Sequence, residues 1–281
     1  MTDYCGIYGY GVTRPIIGSG FRIEPRTTDF QQASQWARDE SAYHLTAVVS
    51  GPAVTDDFLF DLEAVLSFIE HLDVIVTSPK SIQTDNSFLA FDSTITTHRR
   101  SSGGGAALPQ DFFFPSSRAD FVVACLKKLA DAEFCARTKF RSLFFKKVET
   151  FRQRRPFLEV SYFFLYSGLE SYARAVLNDR NSSNSSQPIC TVLQQLGFDV
   201  AVERPSDLPR AISTYTHLRN SLFHNSEMHK TVNINGTEVE IKAMDYCFNL
   251  LQLVTLVVFK AVDFDDGHIN WDSWIDRQPF K

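Results

Sequence analysis

An arginine, an asparagine and a histidine stand close together late in the chain, at Arg219, Asn220 and His224. A guanidinium carries a rigid, planar set of N–H donors that matches the oxygens of a phosphate group. An imidazole can accept or donate a proton near neutral pH, and an asparagine side chain can orient either neighbour. These residue types at this spacing predict chemistry on a phosphodiester.

The segment that carries these residues, Leu208–His224, has the apolar spacing of an amphipathic helix, with Asp207 as N-cap and Pro209 in the first turn. One stripe, facing the core, contains Leu208, Ile212, Tyr215, Leu218 and Leu222. The opposite side carries Ser213, His217, Asn220 and His224.

Arg219 lies roughly 140° around this helix from His224, at about 100° per residue. Three arrangements are open: the arginine side chain bends around the helix, the helix ends before His224, or Arg219 comes from a second copy of the chain. A structural alternative is also open, because arginine and histidine near a helix C-terminus are stabilised by the helix dipole.

The remaining patterns predict an α+β protein: a small N-terminal α/β module over residues 1–100, a glycine-rich linker over 101–117, and an all-α bundle with a short β-hairpin over 118–281. In the module, four segments have strand character and one has helical spacing: Tyr4–Val12, Tyr43–Ser50, Asp73–Thr77, Ser87–Thr97 and helix Asp56–Leu72.

In the bundle, a very long helical pattern with room for one break runs from Arg118 to about Arg155, where Pro156 ends or kinks it. Further helices are predicted at Phe157–Asn178, Ile189–Leu196, Leu208–His224 and Ala243–Val262. Asn235-Gly236 suits a type I′ turn, which predicts a hairpin of Thr231–Ile234 and Thr237–Ile241.

Charge and cysteine usage narrow the class of protein. Residues 1–117 carry seven basic and 14 acidic side chains, against 21 and 19 in the rest, and the net charge of -5 excludes a generally basic nucleic-acid coat protein. Five scattered cysteines without a CxxC pair favour a reducing cytoplasm. The start of the chain lacks the pattern of a secretion signal. Charged and polar residues within Ala243–Val262 favour a buried helix over a membrane span.

A basic segment with interleaved phenylalanines lies at 137–155 and is a candidate RNA-binding surface. Its basic residues are Arg137, Lys139, Arg141, Lys146, Lys147, Arg152, Arg154 and Arg155. The alternative is a helix whose Phe140, Phe144, Phe145 and Phe151 are core and whose charges are simply solvated.

Two segments together resemble the HEPN superfamily ("higher eukaryotes and prokaryotes nucleotide-binding"). Tyr215–Asn225 is similar to that family's Arg-Asn-x-x-x-His signature, and Phe163–Tyr172 resembles its second helix, where an acidic residue, here Glu170, often supports the site. The resemblance covers about residues 118–265 and leaves the N-terminal module without a counterpart.

The resemblance implies a metal-independent, cofactor-free endoribonuclease that works as a homodimer, with two motifs lining one cleft. His224 would act as general base or acid on the ribose 2′-hydroxyl, Arg219 would stabilise the transition state, and Asn220 would orient the phosphate or the imidazole. DNA, which lacks that hydroxyl, would not be a substrate. Relatives with this activity include toxins and anti-phage defence effectors. Some carry a tyrosine two residues after the histidine, and Ser226 at that position argues against an antidote that modifies it.

Two other functions stay open on the sequence: a non-catalytic module that binds RNA or a nucleotide or that dimerises, and a structural adaptor whose motif is incidental. For Glu170, a contact with Arg219 or His224 competes with a local pair to Arg174 at four-residue spacing. His217 is a supporting residue beside the motif. Metal binding by His217, His224 and His229 is not expected, because no cysteine or carboxylate stands at matching spacing.

Overall fold

The fold is described from a computed structural model, which describes residues 2–82, 86–101, 104–153, 155, 157–180, 183–278 and 280. These residues contain ten α-helices, a seven-stranded antiparallel sheet and a separate two-stranded sheet, so the α+β prediction is confirmed at that level. The chain divides into two compact units. The first comprises Met1–Ala130 with Phe151–Arg155, and the second comprises Asp131–Thr150 with Pro156–Lys281.

The first unit is built on the seven-stranded sheet. Its strands are β1 (Thr2–Tyr8), β2 (Ile16–Gly18), β3 (Phe21–Pro25), β4 (Tyr43–Ser50), β5 (Ile75–Val76), β6 (Lys80–Ile82) and β7 (Thr94–Ile95). The central order is β2-β3-β4-β1-β5, with β6 also pairing with β1 and β7 with β4. In the central pair Cys5 lies opposite Val49, and both side chains are fully buried. The two longest strands, β1 and β4, therefore form the centre of the sheet.

Among its described residues this unit contains three complete α-helices: α1 (Phe30–Arg38), α2 (Asp56–Glu70) and α3 (Ser117–Ala130). The predicted helix at Asp56–Leu72 is confirmed as α2, and the hydroxyl of Thr55 caps its N-terminus by accepting the Phe58 amide. The predicted strand over Ser87–Thr97 is wrong for most of its length: Ser87–Ala90 form a 3₁₀ turn whose Phe88 amide donates to the Asn86 side chain, and only Thr94–Ile95 form a strand. The sequence patterns do not predict helix α1 or strands β2, β3 and β6.

Two buried arginines bond to the first unit on either side of the linker predicted at 101–117. Arg100 donates to the backbone oxygens of Gly9, Ala37, Asp39 and Asp73. Arg118 is fully buried and pairs with the buried carboxylate of Glu70. The division between the units therefore falls at Ala130, beyond the linker expected at 101–117.

The second unit contains seven helices among its described residues and a hairpin. The helices are α4 (Ala132–Thr138), the first eleven residues of α5 (Phe140–Arg152), α6 (Leu158–Leu177), α7 (Ser186–Gln195), α8 (Ile212–Asn225), α9 (Ala243–Ala261) and α10 (Ser273–Asp276). The hairpin pairs β8 (His229–Ile234) with β9 (Thr237–Lys242) through Asn235-Gly236, both with positive φ, which confirms the predicted turn.

The long helical pattern that begins at Arg118 is broken twice rather than once. The Asp131 carboxylate accepts the Phe134 amide and starts α4 as a new helix. Lys139 then adopts a left-handed conformation with φ 59°, which ends α4 before α5 begins. Short-range capping at these two residues interrupts a pattern that periodicity alone reads as continuous.

Helix α9 is long and apolar enough to cross a membrane by length and composition, and the described part of the chain contains no other such helix. Just over half of its apolar window, 56%, is buried inside the fold. Its Asn249 amide is buried and donates to the Trp274 carbonyl at 2.6 Å. This burial favours the predicted core helix, since core helices of folded domains have the same composition.

Candidate functional site

Helix α8 positions the motif. It follows a 3₁₀ turn at Leu208–Arg210 and runs to Asn225, where the Ser226 amide closes it by bonding to the Leu222 oxygen. Ile212, Tyr215 and Leu218 are buried, as the predicted core stripe requires. Because the helix includes His224, the possibility that it ends before that residue is excluded. Arg219 and His224 therefore leave the helix in different directions.

The Arg219 side chain is held in place by two partners and a ring. Its Nη2 lies 3.0 Å from Glu170 Oε2, and its Nη1 donates to Asn220 Oδ1 at 2.8 Å. The guanidinium carbon lies 5.1 Å from the centroid of the Tyr166 ring. The side chain keeps 26% of its surface exposed, so it is fixed but accessible.

Glu170 on α6 makes both contacts that the sequence left as alternatives. One carboxylate oxygen bonds to Arg219, and the other accepts the Arg174 Nε at 2.9 Å. Arg174 in turn lies 3.5 Å from Asp179. The local pair at four-residue spacing thus belongs to a longer chain of charges that ends at Arg219.

Hydroxyl groups fix the ring beneath Arg219. The Tyr166 hydroxyl lies 2.7 Å from both Ser185 Oγ and Thr216 Oγ1, and Ser186 Oγ lies 2.7 Å from the same Thr216 atom. Burial raises the pKa of Tyr166, so the phenol stays protonated and can donate. The sequence pattern does not single out Ser185 or Ser186, because both stand in a stretch rich in serine and asparagine.

A cleft of about 370 Å³ opens beside this cluster. Its lining includes Glu170, Arg174, His217, Arg219 and Asn220, together with the serine and threonine hydroxyls. The cleft brings together four of the five predicted site residues. His224 is exposed and is not part of the lining, so within one chain its imidazole does not share the cleft with Arg219.

The basic segment at 137–155 does not form one exposed surface. Lys147 is fully buried, so its assignment to an RNA-binding surface is wrong. Arg152 pairs with Glu63 and Asp73 in the first unit and has 19% of its side chain exposed. Lys146 donates to Ser167, and Arg141 lies over the Phe145 ring.

Lys139 and Arg155 are exposed as predicted, and Arg154 lies outside the described residues. The interleaved Phe140, Phe144 and Phe151 are buried, which confirms the alternative that these rings belong to the core. In the part of the 137–155 segment that belongs to the second unit, the exposed basic side chains therefore lie near residue 139.

Two exposed phenylalanines lie next to the motif. Phe163 of α6 and Phe223 of α8 have ring centroids 4.7 Å apart, yet 38% and 54% of their surfaces remain exposed. Val160 on α6 and Phe157, which directly precedes the first residue of α6, are exposed as well. An apolar face thus adjoins His224 in the sequence and on the helix.

Within the described residues, no group of three or more His, Cys, Asp or Glu side chains is placed to hold a metal ion. No family model matches the sequence, and no match to the chain is found among the curated proteins or the solved structures.

Proposed function

We propose that this protein is a metal-independent endoribonuclease of the HEPN type that acts as a homodimer. The observation that carries the proposal is the fixed, accessible Arg219 at the rim of a polar cleft, with Asn220 and Glu170 as its partners. Its two hydrogen bonds use two of the five N–H donors of a guanidinium, which leaves donors for a phosphate. A guanidinium that is already oriented loses little entropy when it binds an anion.

The HEPN assignment rests on residues in two helices that contact each other. Glu170 stands in the segment that resembles the family's second helix, and Arg219 stands in the segment that resembles its signature. Their side chains meet at 3.0 Å, although 49 residues separate them in the sequence. An incidental motif at a helix end would not require this acidic partner.

The homodimer follows from the position of His224. In one chain this residue lies outside the cleft that Arg219 lines, and it directly follows the exposed Phe223, whose ring packs against Phe163. Pairing of two chains through this apolar face would bury the two rings and bring the partner's His224 toward Arg219. Closed twofold symmetry is the commonest way for identical chains to associate, and it would form two equal sites.

The reaction needs no external reagent other than the RNA. The imidazole of His224 removes the proton of a ribose 2′-hydroxyl, and the 2′-oxygen attacks the adjacent phosphorus. The bond from phosphorus to the 5′-oxygen of the next nucleotide breaks, and that oxygen takes up a proton. The products are a 2′,3′-cyclic phosphate and a 5′-hydroxyl. Arg219 stabilises the additional negative charge on the phosphoryl oxygens during the attack.

The test is incubation of the full chain with single-stranded RNA in the presence of EDTA, with product ends identified by mass spectrometry. We expect 2′,3′-cyclic phosphate ends from the wild type and no product from Arg219→Ala or His224→Ala. His229→Ala changes an exposed histidine of the hairpin and serves as the matched control. Full activity of the His224→Ala variant would reject the assigned mechanism.

A mixing experiment tests whether the site is shared between two chains. Arg219→Ala and His224→Ala chains are unfolded together and refolded at equal amounts. If each site takes Arg219 from one chain and His224 from the other, a mixed dimer has one intact site, and the mixture recovers about a quarter of the wild-type rate. If both residues act within one chain, no mixed dimer has an intact site and the mixture stays inactive.

The second candidate function is a non-catalytic domain that binds RNA or a nucleotide, or that dimerises. The specific observation in its favour is the same exposed position of His224 outside the cleft. This function predicts that His224→Ala binds 2′-O-methyl RNA as the wild type does while neither protein produces cleaved RNA.

By analogy with the family alone, we propose a cytoplasmic role as a toxin or as an anti-phage effector. Expression of the wild type from an inducible promoter should then stop bacterial growth, whereas expression of His224→Ala should not. Equal growth of the two strains at equal protein levels would reject the proposed toxin or anti-phage role.

A further inference from the structure

A second, larger cleft lies in the same unit as the site. It has a volume of about 750 Å³ and is formed by the end of α4, the start of α5 and the last turns of α6 with the residues that follow. Sites for small organic ligands span about 300–1,000 Å³, so this cleft has room for one nucleotide or more. Its lining includes Arg137, Lys139, Arg174 and Arg180.

The lining of this cleft is basic. Four of its side chains are cationic, and the one carboxylate, Asp179, is engaged by Arg174 at 3.5 Å. Arg137, Lys139 and Arg180 are exposed. The backbone of Lys139 is fixed as the left-handed cap of α4, with its amide bonded to the Cys135 oxygen. The cleft therefore presents three accessible positive charges, one of which stands on the capped backbone of Lys139.

Positive charge at a helix end has a structural explanation as well, since cations stabilise helix C-termini. What distinguishes this cleft is its connection to the site. Arg174 lines both clefts, and its Nε bonds to the same Glu170 carboxylate that holds Arg219. The two clefts thus share Arg174: one presents Arg219, the other presents Arg137, Lys139 and Arg180, and the carboxylates next to Arg174, Glu170 and Asp179, are both paired with arginine.

We propose that this basic cleft binds the phosphate backbone of the single-stranded RNA whose neighbouring linkage lies at Arg219. The inference rests on the proposed function and names the path of its substrate. A groove of positive charge that follows the backbone is how proteins hold single strands without regard to sequence. The two clefts on either side of Arg174 hold consecutive parts of one strand.

The test measures binding and cleavage separately. Binding is followed by the fluorescence anisotropy of a labelled 2′-O-methyl RNA oligonucleotide, which lacks the attacking hydroxyl, at several salt concentrations. Cleavage is followed on unmodified RNA of the same sequence. The variants are Arg137→Gln, Lys139→Asn and Arg180→Gln, alone and combined. Asparagine is chosen at position 139 because it tolerates the left-handed conformation.

Each neutralised contact should lower the magnitude of the salt slope, log Kd against log salt, by about 0.7, so the triple variant should lose about 2 units of slope. We expect its affinity at low salt to fall at least tenfold. The exposed Lys230 of the hairpin, which lines neither cleft, provides the control: Lys230→Gln should bind as the wild type does.

The outcomes separate this inference from the proposed function. If the wild type cleaves RNA and the folded triple variant keeps the wild-type affinity and salt slope, RNA binding by the basic cleft is rejected and the proposed nuclease function is not affected. A triple variant that loses affinity supports the cleft even where the wild type proves unable to cleave, and in that case the nuclease is rejected. Circular dichroism spectra that match the wild type establish that each variant is folded.

Discussion

Replacing Lys147 with methionine should stabilise the protein, and the gain should shrink as the pH rises. Lys147 is fully buried in the second unit, and burial lowers the pKa of its ammonium group from 10.5 to about 7. The nearby Cys247 does little to oppose this, because burial raises the pKa of that thiol to about 11 and keeps it neutral. Methionine has a similar length and no charge to desolvate.

The magnitude follows from proton linkage. Between pH 7 and pH 10.5 the unfolded chain holds a proton on Lys147 that the folded chain lacks, so folding must release it and stability rises with pH. The two pKa values give a cost on the order of 4 kcal/mol at pH 7 and about 2 kcal/mol at pH 9. The advantage of methionine over lysine should therefore fall by about 2 kcal/mol between these pH values.

Urea unfolding at pH 7, 8 and 9 measures this difference. Trp271 and Trp274 belong to the second unit and Trp36 to the first, so the comparison is made in a Trp36→Phe background where fluorescence reports the second unit. Lys230→Met, which changes an exposed lysine of the hairpin in the second unit, is the control and should show no pH-dependent difference. If the free energies of unfolding of Lys147→Met and the parent differ by the same amount from pH 7 to pH 9, the lysine of the folded chain keeps its ordinary pKa, and the reasoning is refuted.

Three further predictions concern the site, the apolar face and the first unit. Glu170→Gln should slow RNA cleavage by about tenfold or more, because a charge-assisted bond that orients Arg219 is lost; Glu203→Gln, in the same cleft lining, is the control in the same assay. Phe223→Glu should yield monomers in analytical ultracentrifugation and abolish cleavage, whereas Leu89→Glu, exposed in the first unit, should leave the dimer intact. Glu70→Gln should lower the free energy of unfolding by roughly 3–5 kcal/mol at pH 7, because it leaves the buried Arg118 without its carboxylate. Burial alone would raise the pKa of Glu70, but Arg118 and Arg38 lower it overall. The Glu70 carboxylate therefore stabilises the fold fully above its unfolded pKa, and this stabilisation is lost as the pH falls through its lower folded pKa. Glu70→Gln has no carboxylate to protonate, so its free energy of unfolding should lack this acid-dependent loss.

Local patterns in the sequence were enough for the features that depend on neighbouring residues. The apolar stripe of Ile212, Tyr215 and Leu218 predicted the buried face of α8, and Asn235-Gly236 predicted the turn of the hairpin. Both predictions hold because helical periodicity and positive φ are properties of short segments. The same reasoning allowed only one break across α3, α4 and α5, since periodicity does not detect both the side-chain cap of Asp131 and the left-handed Lys139.

Which polar side chains become buried, and which meet, was decided only by tertiary packing. Lys147 resembles its basic neighbours in the sequence but is enclosed by the second unit, whereas Lys139 nearby remains exposed. Tyr166, Ser185 and Thr216 meet through hydroxyl groups although up to 50 residues separate them. The sequence alone placed Arg219 and Asn220 on one amphipathic helix, and the structure showed that this helix extends past His224. The packing of α6 against α8 decided that Arg219 bonds to Glu170 and lines the cleft while His224 does not. The physical reason is that the sequence sets the direction in which each side chain leaves the helix, whereas the neighbouring helix sets which of these side chains it contacts.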